Sequence, residues 1–180
     1  MTAFPPSRTV ILTGAASPRG IGRYSAHYLA EQGWNIGIID LRSEDAQEVA
    51  AEIAAEHGVH AAGAGANVAD NAQVRAAFDT LEAALPPVIA LVNLAGVASP
   101  VPYLEVTPEE WQRVIDINLN GVHFSTRRAV ESMVALGVGR VVNLSSVSAQ
   151  RGGGTFSKTA YSAAKAGVIG FTRSTARELG

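Results

Sequence analysis

The chain has 180 residues, 47% of them hydrophobic and 17% charged, and a net charge of −2. That length suits one domain with a sizeable core, and its 14 basic and 16 acidic residues are mixed, with no basic run to mark a nucleic-acid footprint. The absence of cysteine excludes a thiol nucleophile, a disulfide framework and a thiolate metal site.

Residues 1–9 lack the charged-then-apolar pattern of a signal peptide. The longest apolar stretch, residues 88–98, is too short for a bilayer and is broken by Asn93 and Gly96. The expectation is a cytoplasmic protein with no membrane partner. Residues 9–12 read as a buried strand running into a glycine-rich loop. Residues 23–32 follow as a helix, with Tyr24, His27, Tyr28 and Leu29 on one face and Gly33 as its stop. A second strand covers residues 35–40. Ser43 is the expected N-cap of the next helix, with Glu44 and Asp45 in its first turn, His57 at its end and Gly58 as its stop. Residues 59–68 hold a third strand, weakened by alanines and glycines. Residues 71–85 form an amphipathic helix through Val74, Ala77, Phe78 and Leu81, and Pro86-Pro87 close it.

Residues 88–94 give a fourth strand. Thr107-Pro108-Glu109-Glu110 is a strong helix start, with a capping hydroxyl, proline at the first helical position and acids for the dipole; that helix extends to about Leu136. A fifth strand spans 140–145 and a last helix 161–179. Continuous apolar strands alternating with helices predict an α/β fold, a doubly wound, mostly parallel sheet between two helix layers, as one domain over residues 1–180. The series stops after a helix, without a closing strand.

Between the first strand and first helix lies Thr13-Gly14-Ala15-Ala16-Ser17-Pro18-Arg19-Gly20-Ile21-Gly22. Glycines let a backbone approach a pyrophosphate, and a helix N-terminus offers N–H groups and a positive dipole end. Gly14, Ser17, Arg19, Gly20, Ile21 and Gly22 are therefore the candidate phosphate contacts. Eighteen residues past Gly22, at the tip of the second strand, Asp40 can accept hydrogen bonds from an adenosine ribose diol. Asp40 would repel the 2′-phosphate of NADP and favours NAD. Arg19 and Arg42 are positioned to neutralise that phosphate and keep NADP open.

Tyr161-Ser162-Ala163-Ala164-Lys165 places a tyrosine and a lysine one helical turn apart. An ammonium beside a phenol favours the phenolate, which makes Tyr161 a candidate general acid/base toward an alcohol or ketone. An ordinary exposed helix pair has the same spacing. The four histidines, His27, His57, His60 and His123, show no ligand spacing and read as surface or packing residues, so no metal site is expected. Trp34 and Trp111 read as core or interface anchors.

Together these residues resemble the short-chain dehydrogenase/reductase family in its single-domain branch, along nearly the whole chain and in consistent order. The resemblance implies a Rossmann fold and an NAD(P)-dependent oxidoreductase. The turn is similar to the family's T-G-x-x-x-G-x-G with two extra residues between Gly14 and Gly20. By the same resemblance Asn67-Val68 stands where Asp-Val contacts adenine. Asn93-Leu94-Ala95-Gly96 matches N-N-A-G, whose first asparagine braces the sheet and whose Ala-Gly pair borders the cofactor; Asn93, Ala95 and Gly96 thus join the cofactor set. Asn118 matches the catalytic asparagine that positions a proton-relay water, and Ser146 the catalytic serine. The interval from Ser146 to Tyr161 is two residues longer than the family's, with the excess in a flexible loop over residues 151–158, and Ser148 is the alternative serine. Lys165 is implied to hold the nicotinamide ribose alongside Tyr161.

The implied reaction moves a hydride between a nicotinamide cofactor and a secondary alcohol or ketone, with a 3-oxoacyl thioester among the candidate small-molecule substrates. A non-catalytic nucleotide-binding regulator or scaffold and an epimerase or dehydratase are the competing readings. The family's substrate-closing loops would follow Gly180. Similar proteins form homodimers or homotetramers through the two long helices, here 107–136 and 161–179, with Val168 and Phe171 as outward apolar residues.

Overall fold

The computed structural model describes residues 4–180. Five parallel strands form one sheet in the order β3-β2-β1-β4-β5: β1 is Thr9–Thr13, β2 Asn35–Asp40, β3 Ala61–Gly65, β4 Val88–Asn93 and β5 Arg140–Asn143. The helices between them are α1 (Ile21–Glu31), α2 (Ser43–His57), α3 (Asn71–Ala84), α4 (Pro108–Ile115) and α5 (Gly121–Leu136); α6 (Ser148–Arg151) and α7 (Thr159–Leu179) follow β5. Because β1 is central and the strand order reverses there, the C-terminal tips of β1 and β4 diverge into a crevice, the usual ligand position of such sheets.

Alternate residues of β1 explain the three layers. Val10 and Leu12 face α1 and α2, packing with Ala26, Ala30, Val49 and Ile53. Ile11 points the other way, into a cluster with Phe78, Leu81, Leu91, Ala129 and Met133 from α3, β4 and α5. Strands buried on both faces need apolar residues at every position, which is why β1 and β4 read as unbroken apolar runs. β5 differs: among the described residues its only strand neighbour is β4, and Val142 is 57% exposed.

Several boundaries depart from the sequence expectation. Ser43 is the first residue of α2, not its cap; Arg42 holds the extended capping position and no side chain caps there. Ser43 Oγ instead accepts from Gln47 Nε2 at 3.2 Å, a bond within the helix. α7 begins two residues before Tyr161. The helix expected from Thr107 onward keeps its cap, with Thr107 Oγ1 accepting the Glu110 N–H at 3.2 Å, but it carries a π stretch at Asp116–Asn120 between α4 and α5. Val168 is not outward: it is 1% exposed, on the inner stripe that Ala164, Lys165 and Val168 share at helical spacing. Phe171 is half-buried and meets His123 of α5 edge-on, ring centroids 6.0 Å apart. Trp34 lies partly buried against the first core, with the Arg8 guanidinium 4.6 Å above its ring, whereas Trp111 is 38% exposed.

Candidate active site

The glycine turn sits at the C-terminal tip of β1. Gly14 has φ +69°, and a Cβ there would lie 2.6 Å from Ala95 Cα, so only glycine lets the turn close onto the segment leaving β4. The two extra residues form a β-turn: Gly20 N–H donates to the Ser17 carbonyl at 3.0 Å, with Pro18 at its favoured second position. The extension therefore projects outward at exposed Pro18 and Arg19, with Ser17 at its base, while Gly20 caps α1 and Ile21 and Gly22 open it.

Asp40 ends β2 beside this turn. One carboxylate oxygen accepts Ala16 N–H and the other Leu41 N–H, both at 2.8 Å. Each oxygen keeps a second lone pair for a hydroxyl. Arg42, two residues on, is held by Asp45 through two bonds of 2.6 and 2.7 Å, and that partner raises its pKa.

A cleft of about 320 Å³ opens here, bounded by Gly14, Ser17, Asp40, Asn67, Val68, Ala95 and Gly96, which are seven of the expected cofactor residues. Its bare backbone floor and the Asp40 carboxylate fit a dinucleotide. Apolar Leu41, Val97 and Ile117 also line it; Ile117 precedes Asn118 in the motif, whereas Leu41 and Val97 carry no sequence signal of their own. Asn67 is less available than expected. Its amide oxygen accepts Ala69 N–H at 3.1 Å, leaving one lone pair and the NH2 group. Asn93, 2% exposed, does not line the cleft: its Nδ2 donates to Asn143 Oδ1 at 2.8 Å and Thr126 Oγ1 at 3.0 Å, which ties β4 to β5 and α5. Thr13, not singled out from the sequence, accepts the N–H groups of Leu94 and Ala95 at 3.2 and 3.3 Å and fixes the β4 exit beside Gly14. A larger hollow of about 930 Å³ against β5, α5 and α7 contains none of the expected site residues.

Asn118 explains the π stretch. Its Nδ2 donates to the Val114 carbonyl at 2.9 Å, the acceptor that its own backbone N–H would use in an α-helix, and to the Val97 carbonyl at 3.0 Å. Its Oδ1 accepts Val97 N–H at 3.2 Å. The side chain is fully buried and committed to backbone, so a water at this site would have to use other groups.

Lys165 is 2% exposed, and burial pushes its pKa down. Its Nζ donates to the Leu144 carbonyl at 2.8 Å and lies 5.8 Å from the Tyr161 ring centroid. Ser145 Oγ donates to the Lys165 carbonyl at 2.7 Å, so this serine is structural. Ser146 Oγ accepts Ser148 N–H at 3.1 Å, which leaves its proton to donate. Ser148 is buried, and its hydroxyl pairs with Ser157 at 2.9 Å. The interval expected as a flexible loop is thereby closed: Gly154 N–H donates to Ser157 O at 2.7 Å, and Lys158 N–H to Ser99 O at 2.9 Å. Ser99 Oγ in turn donates to Glu110 at 2.7 Å, and this bond together with Arg113 holds the Glu110 carboxyl at about 2.

Seven of the expected residues thus line a cleft beyond the tips of β1 and β4, and at its Gly96 rim lie Asn118 and Lys165, with the Tyr161 ring beside the lysine. The family model for short chain dehydrogenases matches residues 8–180. The chain belongs to the short-chain dehydrogenase/reductase family.

The chain has relatives named as dehydrogenases and reductases. It is 42% identical over 173 residues to the 2-dehydro-3-deoxy-L-rhamnonate dehydrogenase (NAD(+)) of a Sphingomonas strain, covering 96% of this chain and 66% of that protein. It is 36% identical over 169 residues to the 3-oxoacyl-[acyl-carrier-protein] reductase of Aquifex aeolicus, covering 94% and 66%. The crystal structure of an actinorhodin polyketide ketoreductase variant with NADPH superposes with a TM-score of 0.88 at 31% identity, covering 96% of this chain and 65% of that one. The chain therefore spans about two thirds of the length of these relatives. Among the described residues no helix is long and apolar enough to cross a membrane.

Proposed function

We propose that this chain moves a hydride between NAD and a secondary alcohol or ketone, with a 3-oxoacyl thioester among the substrates that its relatives' chemistry suggests. The observation that carries this reading is the buried Lys165 ammonium, set between the Tyr161 ring and Gly96 at the rim of a glycine-floored cleft, with the Ser146 hydroxyl free to donate at the end of the strand whose Leu144 carbonyl holds that lysine. Lys165 is buried at the cost of desolvation with its ammonium beside the Tyr161 ring, the pairing that general acid/base work at the phenol requires.

When bound, the nicotinamide supplies the hydride in reduction and takes it up in oxidation. In reduction the Tyr161 phenol gives its proton to the carbonyl oxygen, leaving an alcohol and a phenolate. The Ser146 hydroxyl donates to that oxygen as negative charge develops, a preorganised contact that favours the transition state. Lys165 stabilises the phenolate, and in oxidation the same groups run in reverse. Asn118 positions Val97, and with it the backbone beside Gly96.

NAD is favoured over NADP because Asp40 projects a carboxylate at the tip of β2 while Arg42 is occupied by Asp45. The relatives divide on this point, one named for NAD(+) and one crystallised with NADPH. Self-association through the long helices, as a dimer or tetramer, and a cytoplasmic setting complete the reading; exposed Trp111, Val134 and Leu179 suit a helix interface.

The test is NADH or NADPH oxidation with a panel of ketones and 3-oxoacyl thioesters, repeated with Tyr161→Phe and Asp40→Asn. The expected result is turnover with NADH preferred, loss of turnover in Tyr161→Phe with cofactor binding kept, and a shift toward NADPH in Asp40→Asn. Cofactor binding without turnover on any substrate would instead favour a binding module. Turnover that survives in Tyr161→Phe would refute the proton-transfer role.

A further inference from the structure

Between α1 and α2, outside the cleft, two histidines and a glutamate converge. His27 Nδ1 lies 3.1 Å from His57 Nε2 and 3.2 Å from Glu56 Oε2, and the last two atoms are 3.8 Å apart. A point equidistant from these three atoms lies about 2.0 Å from each, the zinc–nitrogen and zinc–oxygen bond length. The ring orientation agrees. Two imidazoles bound through one nitrogen each at a tetrahedral angle have centroids about 5 Å apart; the centroids of His27 and His57 are 5.3 Å apart, with planes inclined at 70°.

We infer that His27, Glu56 and His57 form a site for a divalent transition metal such as zinc, pinning α1 to the C-terminal turn of α2. The second ring nitrogen of His27, Nε2, is 3.4 Å from Glu52 Oε1, and Glu52 is itself paired with Arg23. This is the outer-shell arrangement of metal-bound histidine, in which a carboxylate takes the far N–H and so fixes the tautomer with the other nitrogen directed at the metal. With the Nε2 proton directed at Glu52, His27 Nδ1 presents a bare lone pair, and His57 Nε2 and Glu56 Oε2 lie beside it at 3.1 and 3.2 Å. A metal accepts all three lone pairs at once.

Charge and access point the same way. Glu56 and His57 occupy the last turn of α2, where the carbonyl end of the dipole favours a cation. The site supplies three protein ligands and is partly open, with side-chain exposures of 21% for His27, 17% for His57 and 58% for Glu56, so water completes the coordination. The charged groups facing it are Arg23 from α1 and Glu52 and Glu56 from α2. His27 follows the glycine turn by little more than a helical turn, so a metal here would stiffen the element whose N-terminus faces the cofactor cleft. The inference does not depend on the catalytic reading.

The test is titration of tag-free protein with Zn2+ against a chromophoric chelator, and with Co2+ followed by its ligand-field absorption. The expected result is one metal per chain, a low-symmetry cobalt spectrum and a zinc-dependent rise in thermal midpoint. His27→Gln and His57→Gln each abolish all three, Glu52→Gln weakens binding about 10- to 100-fold, and His60→Gln changes nothing. Circular dichroism and NADH titration of each variant verify that the fold and the cofactor cleft persist. Stoichiometric binding that survives in both His27→Gln and His57→Gln, or the absence of any bound metal at micromolar free zinc, would overturn the inference.

Discussion

Gly96 is the point at which the cleft meets Asn118 and Lys165, and a single methyl group tests that junction. A Cβ built on Gly96 lies 2.7 Å from Asn118 Oδ1 and 3.6 Å from Lys165 Nζ. An ordinary carbon–oxygen contact is about 3.3 Å, so in Gly96→Ala something must yield by about 0.6 Å. Asn118 is fully buried and held by three hydrogen bonds to the backbone of Val97 and Val114, so it yields only by losing at least one. Overpacking of this kind costs about 1–3 kcal/mol, and a lost hydrogen bond adds roughly 1 kcal/mol. Gly96→Ala should therefore destabilise the protein by about 2–4 kcal/mol, read from the denaturation midpoint at unchanged m-value. Activity should fall further than folded fraction explains, because the methyl also borders Lys165. In an Asn118→Ser background the clashing amide is gone, and the cost of Gly96→Ala should shrink by more than about 1 kcal/mol. A Gly96→Ala cost under roughly 0.5 kcal/mol, or one identical in both backgrounds, would refute this account of the junction.

Three further outcomes follow from the same geometry. Lys165→Met should abolish turnover while moving the denaturation midpoint by no more than about 1 kcal/mol, since the removed desolvation cost offsets the orphaned Leu144 carbonyl. The lysine pKa is lower folded than unfolded, so between the two values the unfolded state binds more protons and stability rises with pH; Lys165→Met should flatten that alkaline limb in urea titrations. Ser146→Ala should lose orders of magnitude in kcat, whereas Ser148→Ala, which only unpairs Ser157, should retain most of it; the reverse order in steady-state assays would exchange the roles of the two serines. Glu110 titrates at about 2, against 4.5 in the unfolded chain, because Arg113 and Ser99 hydrogen-bond its charged form, so its stabilisation is present above pH 4.5 and lost as pH falls toward 2. Glu110→Gln should flatten the acid limb of stability across that window, and an unchanged limb would remove Glu110 from the account.

Local signals made most of the fold legible. Unbroken apolar runs, the Thr107-Pro108 helix start and the glycine turn each encode their own structure within a few residues, and β1, β2, β4, α3 and α4 lie where those signals put them. The extra residues of the turn could be counted, but their outcome depended on Pro18 nucleating a β-turn that ejects them from the cleft. The π stretch had no local signature at all, because it arises when the Asn118 side chain takes an acceptor on Val114 while also bonding Val97, 21 residues away. Val168 was misplaced for a similar reason. On an isolated helix its face is arbitrary, and only the docking of α7 turns it inward along with Lys165. His27 and His57 are 30 residues apart, so no spacing rule could pair them.

The placement of α7 shows how such a site is kept exact where apolar packing is thin. Among the described residues β5 has one strand neighbour, and on the face that meets α7 it offers Val141 and the polar Asn143 rather than an unbroken apolar row, so the hydrophobic effect alone gives α7 little purchase there. Polar bonds make up the difference. Lys165 Nζ donates to the Leu144 carbonyl while Ser145 Oγ donates back to the Lys165 carbonyl, a reciprocal clamp between adjacent strand residues and one helix residue. Farther along, Asn93 donates to Asn143, and Asn143 to Thr172, carrying the brace from β4 through β5 to the next turns of α7. Directional bonds fix rotation and register, which dispersion and burial do not, so the Lys165 ammonium is held to a single position. The family's asparagines and paired serines thus serve geometry as much as chemistry: only Ser146 of the Ser145-Ser146 pair keeps a proton to give, and its neighbour holds the lysine in place.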